Sequence, residues 1–222
     1  MKPDLSDARL YAILDLGYVE RDRISQTAEL LGRSGAGIVQ LRAKGFSQQE
    51  AEEMAIEVAP ILRHAGVPFI VNDFPEIAGR VGADGFHLGQ DDGDREDALH
   101  RYQSAAASAG QTVAHPIVGR STHSVDQAVA AAEERFDYIG FGPLYTTPTK
   151  PGRPGIGIEE IATVHQLVDL PIFCIGGVKV NGLTELVAAG ARRVVIVSGL
   201  LEAGDAIPER AAEILAALEP VT

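Results

Sequence analysis

Apolar positions along the chain gather into eight short runs, separated by longer stretches in which apolar and polar residues mix at helical spacing. The runs are residues 10–14, 38–41, 69–71, 85–88, 116–119, 138–141, 172–175 and 194–197. They are rich in Val, Ile and Phe and mostly do not alternate with polar residues, which is the pattern of strands buried on both faces, as in a parallel sheet. Between them, residues 47–65, 125–134, 158–167, 181–189 and 208–218 read as helices. The first of these opens on Ser47 with Glu50 three residues later, a capping box. Strand candidates each followed by a helical stretch predict an α/β fold, a closed (β/α)8 TIM barrel formed as a single domain over residues 1–222. An open doubly wound sheet is the competing arrangement. The even size of the units and the lack of GxGxxG after the first strand favour closure. No linker breaks the chain; the alanine- and serine-rich residues 103–110 read as a helix end and its loop.

Composition narrows the function classes. Of 222 residues, 45% are hydrophobic and 23% charged, enough to bury a full core and exclude wholesale disorder. No apolar run is long enough to span a bilayer. The start lacks the basic, apolar and small-residue pattern of a signal peptide. The single cysteine, Cys174, excludes an internal disulfide framework and a cysteine-rich metal site. A cytoplasmic location without membrane association is therefore expected. With 31 acidic against 19 basic residues, a net charge of −12, 5% aromatics and no Trp, the chain is a poor nucleic-acid binder. An anionic substrate is still compatible, provided its site is made locally from a few basic groups, backbone amides or a metal.

In a barrel the active site lies at the carboxyl ends of the strands, so the polar residues that close each run carry the functional signal. After the second run, Gln40, Arg42 and Lys44 alternate and would point to one side of an extended chain, a donor set suited to a phosphate or diphosphate. The plainer alternative is that Arg42 and Lys44 sit in a solvated loop. Gln40 argues against this, because so deep in an apolar strand it needs a polar partner. Asp73 and Asp92 close neighbouring strands, and two carboxylates held close together need something positive between them. Mg2+ would serve, and would hold substrate phosphate oxygens as well; the alternative is two solvated loop acids. Gly176-Gly177 and Ser198-Gly199 follow strands seven and eight, where barrels often bind phosphate through backbone N–H groups. Simple turn glycines are the competing explanation.

The pieces VQLRAKG, VNDFPEIAGRVGADGFHLGQDD, GRSTHS, DYIGFGPLYTTPTKPG, CIGGV and VIVSGL, in this order and each after its expected strand, resemble the thiamine phosphate synthase family. The resemblance runs over about residues 10–217. It implies the TIM barrel and an enzyme that joins hydroxymethylpyrimidine diphosphate to hydroxyethylthiazole phosphate, releasing diphosphate and forming thiamine phosphate. It also implies roles for individual residues. Gln40, Leu41, Arg42, Ala43, Lys44, Asn72, Ser121 and Lys150 match positions that hold the pyrimidine diphosphate, with Arg42, Ser121 and Lys150 the catalytic candidates. Asp73 and Asp92 match Mg2+ ligands. Thr147, Pro148 and Thr149 match a loop that contacts the thiazole phosphate, and Gly177, Val197 and Ser198 match the rest of that pocket. The partners are thus small-molecule substrates; assembly into homo-oligomers is left open.

The sequence departs from the family at three places. Ala43 stands where an acid is common. Arg120 replaces an apolar residue and matters only if it points inward. Residues 93–118 are longer than usual, which is expected to extend the fourth helix and its loop.

The implied chemistry is a dissociative substitution. Diphosphate leaves, the electron-rich aminopyrimidine stabilises the cation, and the thiazole nitrogen attacks. The protein must neutralise the leaving group, align the rings and exclude water, and needs no nucleophile.

Other residues invite a role. His123 is a candidate general base, as would suit a thiazole tautomerase of the same superfamily, or a structural residue. His87 reads as a hydrogen-bonded packing residue. His64, His100 and His165 read as exposed, and Cys174 as an inert core thiol. The competing functions are the tautomerase, which would leave the diphosphate set idle, a non-catalytic regulatory barrel, and a phosphosugar isomerase or epimerase, which would not explain the TTPTK loop.

Overall fold

In the computed structural model, which describes residues 3–112, 115–146 and 155–218, every apolar run of the sequence forms a strand. The elements alternate in chain order: β1 (Leu10–Asp15), α1 (Ile24–Gly32), β2 (Ile38–Arg42), α2 (Gln48–Ala65), β3 (Phe69–Asn72), α3 (Pro75–Val81), β4 (Gly85–Leu88), α4 (Arg95–Ser108) and β5 (Ile117–Thr122). Then come α5 (Val125–Glu133), β6 (Tyr138–Phe141), α6 (Ile161–Leu167), β7 (Ile172–Cys174), α7 (Leu183–Ala188), β8 (Val194–Ile196), α8 (Ser198–Leu201) and α9 (Ile207–Ala217). The strands pair in parallel in chain order, and Leu10 opposite Val194 joins β8 to β1 and closes the barrel. Among the described residues no helix is long and apolar enough to cross a membrane.

Two apolar shells explain the unbroken strand runs. Tyr11, Ile13, Ile38, Ile70, Ile117, Tyr138, Phe173 and Val195 face the lumen, where Leu5 and Ala8 join them. Their neighbours Leu10, Ala12, Leu14, Val39 and Leu41 face outward and pack with helix residues such as Ile24, Leu31, Met54, Val58 and Ile77. Each strand is therefore covered on both sides, so neither face selects for polar residues. Gly119 on β5 makes room in the lumen, since a Cβ there would lie 2.1 Å from the Tyr138 ring.

Local chemistry sets the helix ends. The Ser47–Glu50 capping box forms, and Gly66, at φ +71°, closes α2. The Asp94 side chain caps α4 by accepting from Asp97 N–H, so the acidic stretch there is a helix start. The longer segment before β5 does carry a long fourth helix of 14 residues.

The fifth strand differs most from its expected bounds. It continues three residues past Gly119, because Arg120, Ser121 and Thr122 pair with Ile139, Gly140 and Phe141 of β6. Ser121 is therefore a strand residue, and the alternation of a strand separates it from Arg120.

Candidate functional site

Two adjoining cavities open at the carboxyl ends of the strands and share Ile13, Arg42, Ile175 and Val195 as a common wall. The first, of about 440 Å³, is lined by Gln40, Arg42, Lys44, Asn72, Asp73, Asp92 and Ser121, together with Tyr11 and His87. The second, of about 350 Å³, is lined by Gly176, Gly177, Val197 and Ser198, with Asp15, Tyr18, Lys179 and Glu202. Side chains spaced over more than a hundred residues of sequence thus meet at one mouth. Leu41 and Ala43 do not meet it through their side chains. Both pack in the outer shell, as strand alternation from Gln40 and Arg42 requires, and can offer only backbone groups. Thr147, Pro148, Thr149 and Lys150 lie outside the described residues.

Arg42 is not a lone cation. Its Nη1 donates to Asp15 Oδ2 at 2.6 Å, and both side chains are largely buried, 12% and 4% exposed. The β1–β2 register sets Asp15 opposite Arg42, and Asp15 Oδ1 also accepts from Gly17 N–H at 2.9 Å. The guanidinium is thus held at the shared wall in a charge-assisted bond that fixes where its remaining donors point. Lys44 is exposed at the rim.

Asp73 and Asp92 face each other. The chain turns through φ +65° at Asp73, an unusual conformation for a residue with a side chain but one that Asp tolerates. Burial first, and then the Asp92 charge and its hydrogen bond, push the Asp73 carboxyl up to about 6, while Lys44 and Arg42 pull it back. Two carboxyl groups crowded against each other in this way could hold a cation between them, and all-oxygen donors suit a hard divalent ion. Among the described residues no cluster of three His, Cys, Asp or Glu gathers, so substrate and water oxygens would complete the shell. Asp92 Oδ2 also accepts from Gly89 N–H at 2.5 Å, which ties it into its own loop.

Arg120 points away from the cavities. Its guanidinium donates to the Gly93 and Gln90 carbonyls at 2.9 and 3.2 Å and lies 5.4 Å from the Phe136 ring centre. The departure from the family is thus harmless to the pocket and braces the loop that carries Asp92. The Gln90 side chain adds a bond to the Ser121 carbonyl at 2.5 Å.

The paired glycines have a packing reason. Gly176 and Gly177 adopt φ +95° and +69°, and Cβ atoms there would lie 2.4 Å from Pro143 Cα and 2.7 Å from Tyr145 Cβ. The segment after β6 runs directly over them, with Leu144 and Tyr145 N–H groups donating to the Ile175 and Gly176 carbonyls. Turn geometry and packing thus require glycine at both positions whether or not a phosphate binds there, and the same turn shapes the second cavity.

His123 lines the first cavity, and its Nδ1 bonds the Gly142 carbonyl, which links β5 to the segment after β6. His64 and His100 are exposed, as expected. His165 is not: burial, with Arg192 and Arg193 nearby, lowers it to about 4. Cys174 is buried, and burial pushes its thiol up to about 12, consistent with an inert core residue. Sequence reasoning missed Asp15, Tyr11 and Tyr138. Asp15 could have been found, since it closes β1 as Asp73 closes β3; the tyrosines sit inside apolar runs and read as core.

The family model described as thiamine monophosphate synthase matches residues 10–200. The thiamine-phosphate synthase of Thermus thermophilus is 41% identical over 182 residues, 82% of each chain. That of Acidothermus cellulolyticus is 39% identical over 220 residues, 98% of each chain. The fold is similar to that of a thiamine phosphate pyrophosphorylase from Pyrococcus furiosus, with a TM-score of 0.78 at 24% identity, over 96% of this chain and 97% of that one.

Proposed function

Because this chain belongs to the thiamine monophosphate synthase family, we propose that it joins hydroxymethylpyrimidine diphosphate to hydroxyethylthiazole phosphate, giving thiamine phosphate and diphosphate. It is by that membership a transferase of thiamine biosynthesis. The observation that carries the reading is the meeting of Gln40, Arg42, Lys44, Asn72, Asp73, Asp92 and Ser121 at one cavity that shares a wall with a second. A two-substrate condensation needs two adjoining chambers, one of them able to hold a polyanion.

The first cavity takes the pyrimidine diphosphate. Gln40, Asn72 and Ser121 hold the ring end, while Arg42, Lys44 and Lys150 draw the diphosphate away from the ring methylene. Asp73 and Asp92 would hold Mg2+, which when bound supplies positive charge to the diphosphate oxygens. The cations and the metal, less the two ligand acids, give a local charge of roughly +3 against a bound diphosphate of about −3. Asp15 takes away one of these charges, so Arg42 works as a positioned donor more than as free charge. The thiazole phosphate sits in the second cavity, its phosphate held by Gly177, Val197 and Ser198 together with Thr147, Pro148 and Thr149. Its ring nitrogen then faces the methylene across the shared wall. The protein forms no covalent bond; it aligns the rings, stabilises the departing charge and keeps water out.

The direct test mixes purified protein with both phosphorylated precursors and Mg2+. Thiamine phosphate and diphosphate should appear in equal amounts. Binding of both precursors without product would overturn the reading in favour of a non-catalytic barrel.

A further inference from the structure

Beneath the first cavity, six polar side chains from six strands form one continuous hydrogen-bonded chain across the lumen. Asn72 Oδ1 accepts from Gln40 Nε2 at 3.3 Å, and Gln40 Oε1 accepts from Tyr11 Oη at 2.6 Å. Tyr11 and Tyr138 hydroxyls lie 2.8 Å apart. Tyr138 Oη meets His87 Nδ1 at 3.0 Å, and His87 Nε2 meets Ser121 Oγ at 3.0 Å. The tyrosine rings are almost wholly buried and wedged by edge contacts with Phe173, 5.3 and 5.7 Å between ring centres. Tyr138, at the middle of the chain, is fully buried and does not line the cavity, so its single proton is held by its protein neighbours.

Counting donors gives the chain a direction. A phenol has one proton. Tyr11 gives its proton to Gln40, so between the two tyrosines it is Tyr138 that donates. The Tyr138 oxygen then accepts, so His87 Nδ1 must carry the imidazole proton. In a neutral ring Nε2 is then bare and accepts from the Ser121 hydroxyl. At the far end, Gln40 has one N–H committed to Asn72 and a second left for a ligand.

We infer that Tyr11, Tyr138 and His87 are positioning residues that relay a fixed hydrogen-bond direction from Gln40 to Ser121, so that Ser121 meets its ligand as an acceptor and Gln40 as a donor. The protein thus presents a donor and an acceptor at once. That pair complements a heterocycle carrying an amine beside an unprotonated ring nitrogen and opposes one carrying a carbonyl beside a ring N–H. This role in substrate choice rests on the proposed function; the direction of the relay does not.

The relay is read by 15N NMR of the full-length, histidine-labelled protein without substrate or metal, with the His87 signals assigned through His87→Gln. Wild type should show a protonated Nδ1 and a bare Nε2. In Tyr11→Phe the Tyr138 proton loses its acceptor on residue 11 and turns to His87 Nδ1, so the tautomer should invert by way of Tyr138. A protonated Nε2 in wild type, or an unchanged tautomer in folded Tyr11→Phe, overturns the relay. Should Tyr11→Phe fail to fold, as judged by circular dichroism, the wild-type spectrum alone decides the direction.

In turnover, Tyr11→Phe should raise KM for the pyrimidine diphosphate roughly tenfold, the scale of one lost hydrogen bond, with kcat and the thiazole KM within a few-fold of wild type. Equal losses for both substrates would overturn the role in ligand orientation. Because the NMR measurement needs no substrate, failure of the relay and failure of the reaction assignment are told apart.

Discussion

The two cavities at the barrel mouth are built from different materials. The first is walled by ionic and amide side chains, Gln40, Lys44, Asn72, Asp73, Asp92 and Ser121, with a hydrogen-bonded floor. The second also carries charged side chains, Asp15, Lys179 and Glu202, but part of it is shaped by backbone, at Gly176 and Gly177 and where β8 passes into α8. Charge on side chains can be tuned residue by residue, and its removal shows as lost chemistry. A backbone wall has little charge to remove, and its perturbation shows as lost shape. The difference predicts that loss of the charged groups of the first cavity lowers turnover, while damage to the backbone turn of the second weakens one substrate and the fold together.

The largest effect tests the first cavity. Asp73 and Asp92 are crowded together, and burial and its neighbour push Asp73 up to about 6, so a cation bound between them in the proposed reaction would relieve the crowding. EDTA should lower turnover by 10²-fold or more, on the order of 3 kcal/mol of transition-state stabilisation, and added Mg2+ should restore it. Activity retained in EDTA would remove the metal from the first cavity and with it the contrast between the two.

The shared wall comes next. Asp15→Ala strands the Arg42 guanidinium without its buried partner, and about 3 kcal/mol of unfolding free energy should be lost in urea titration. Because Arg42 faces both cavities, both KM values should rise. A rise in one alone would show that the wall serves a single substrate.

Smaller again is Gly176→Ala. The new Cβ would meet Pro143 Cα at 2.4 Å in a backbone conformation at φ +95°. Strain and overlap together should cost about 2 kcal/mol of stability and raise the thiazole phosphate KM, leaving the pyrimidine diphosphate KM near wild type. An effect confined to the pyrimidine side would reverse the assignment of the cavities.

The same contrast governs what the sequence discloses. The strands are legible because both their faces are covered, which leaves unbroken apolar runs. Helix α2 is legible through Ser47 and Glu50. Helix α3, seven residues long, has too few turns to show a period, and α4 buries only Ala98, Tyr102 and Ala106, so its apolar stripe is faint. Residues of the first cavity announce themselves as polar groups ending apolar runs. The Asp15 partner of Arg42 depends on strand register, and the Tyr11–Tyr138 contact depends on barrel closure; neither is a local property of the chain. Gly176 and Gly177 look alike in sequence whether they bind a phosphate or only let Pro143 and Tyr145 pass, and the packing shows that the second demand is present in any case.

The half of the barrel beneath the second cavity carries a buried histidine that weakens it in acid. His165 on α6, just before β7, is lowered to about 4 by burial and by Arg192 and Arg193, and its Nε2 is buried without a hydrogen-bond partner. The unfolded chain binds this proton near the ordinary histidine value of about 6.5. Above that pH neither state is protonated and His165 costs nothing through protonation. Between about 6.5 and about 4 the unfolded state alone gains the proton, so stability falls as pH falls through this window and stays reduced below it. The ring is partly exposed, so after allowing for solvent screening the effect on Tm should be only roughly 2–4 °C across the window. His165→Leu should remove that component of the pH slope and leave the melting temperature at neutral pH unchanged or higher, since it also removes an unpaired buried nitrogen. Calorimetric melts of the two proteins at pH 7.5, 5.5 and 4.5 decide the point, and parallel slopes would place the acid weakness elsewhere.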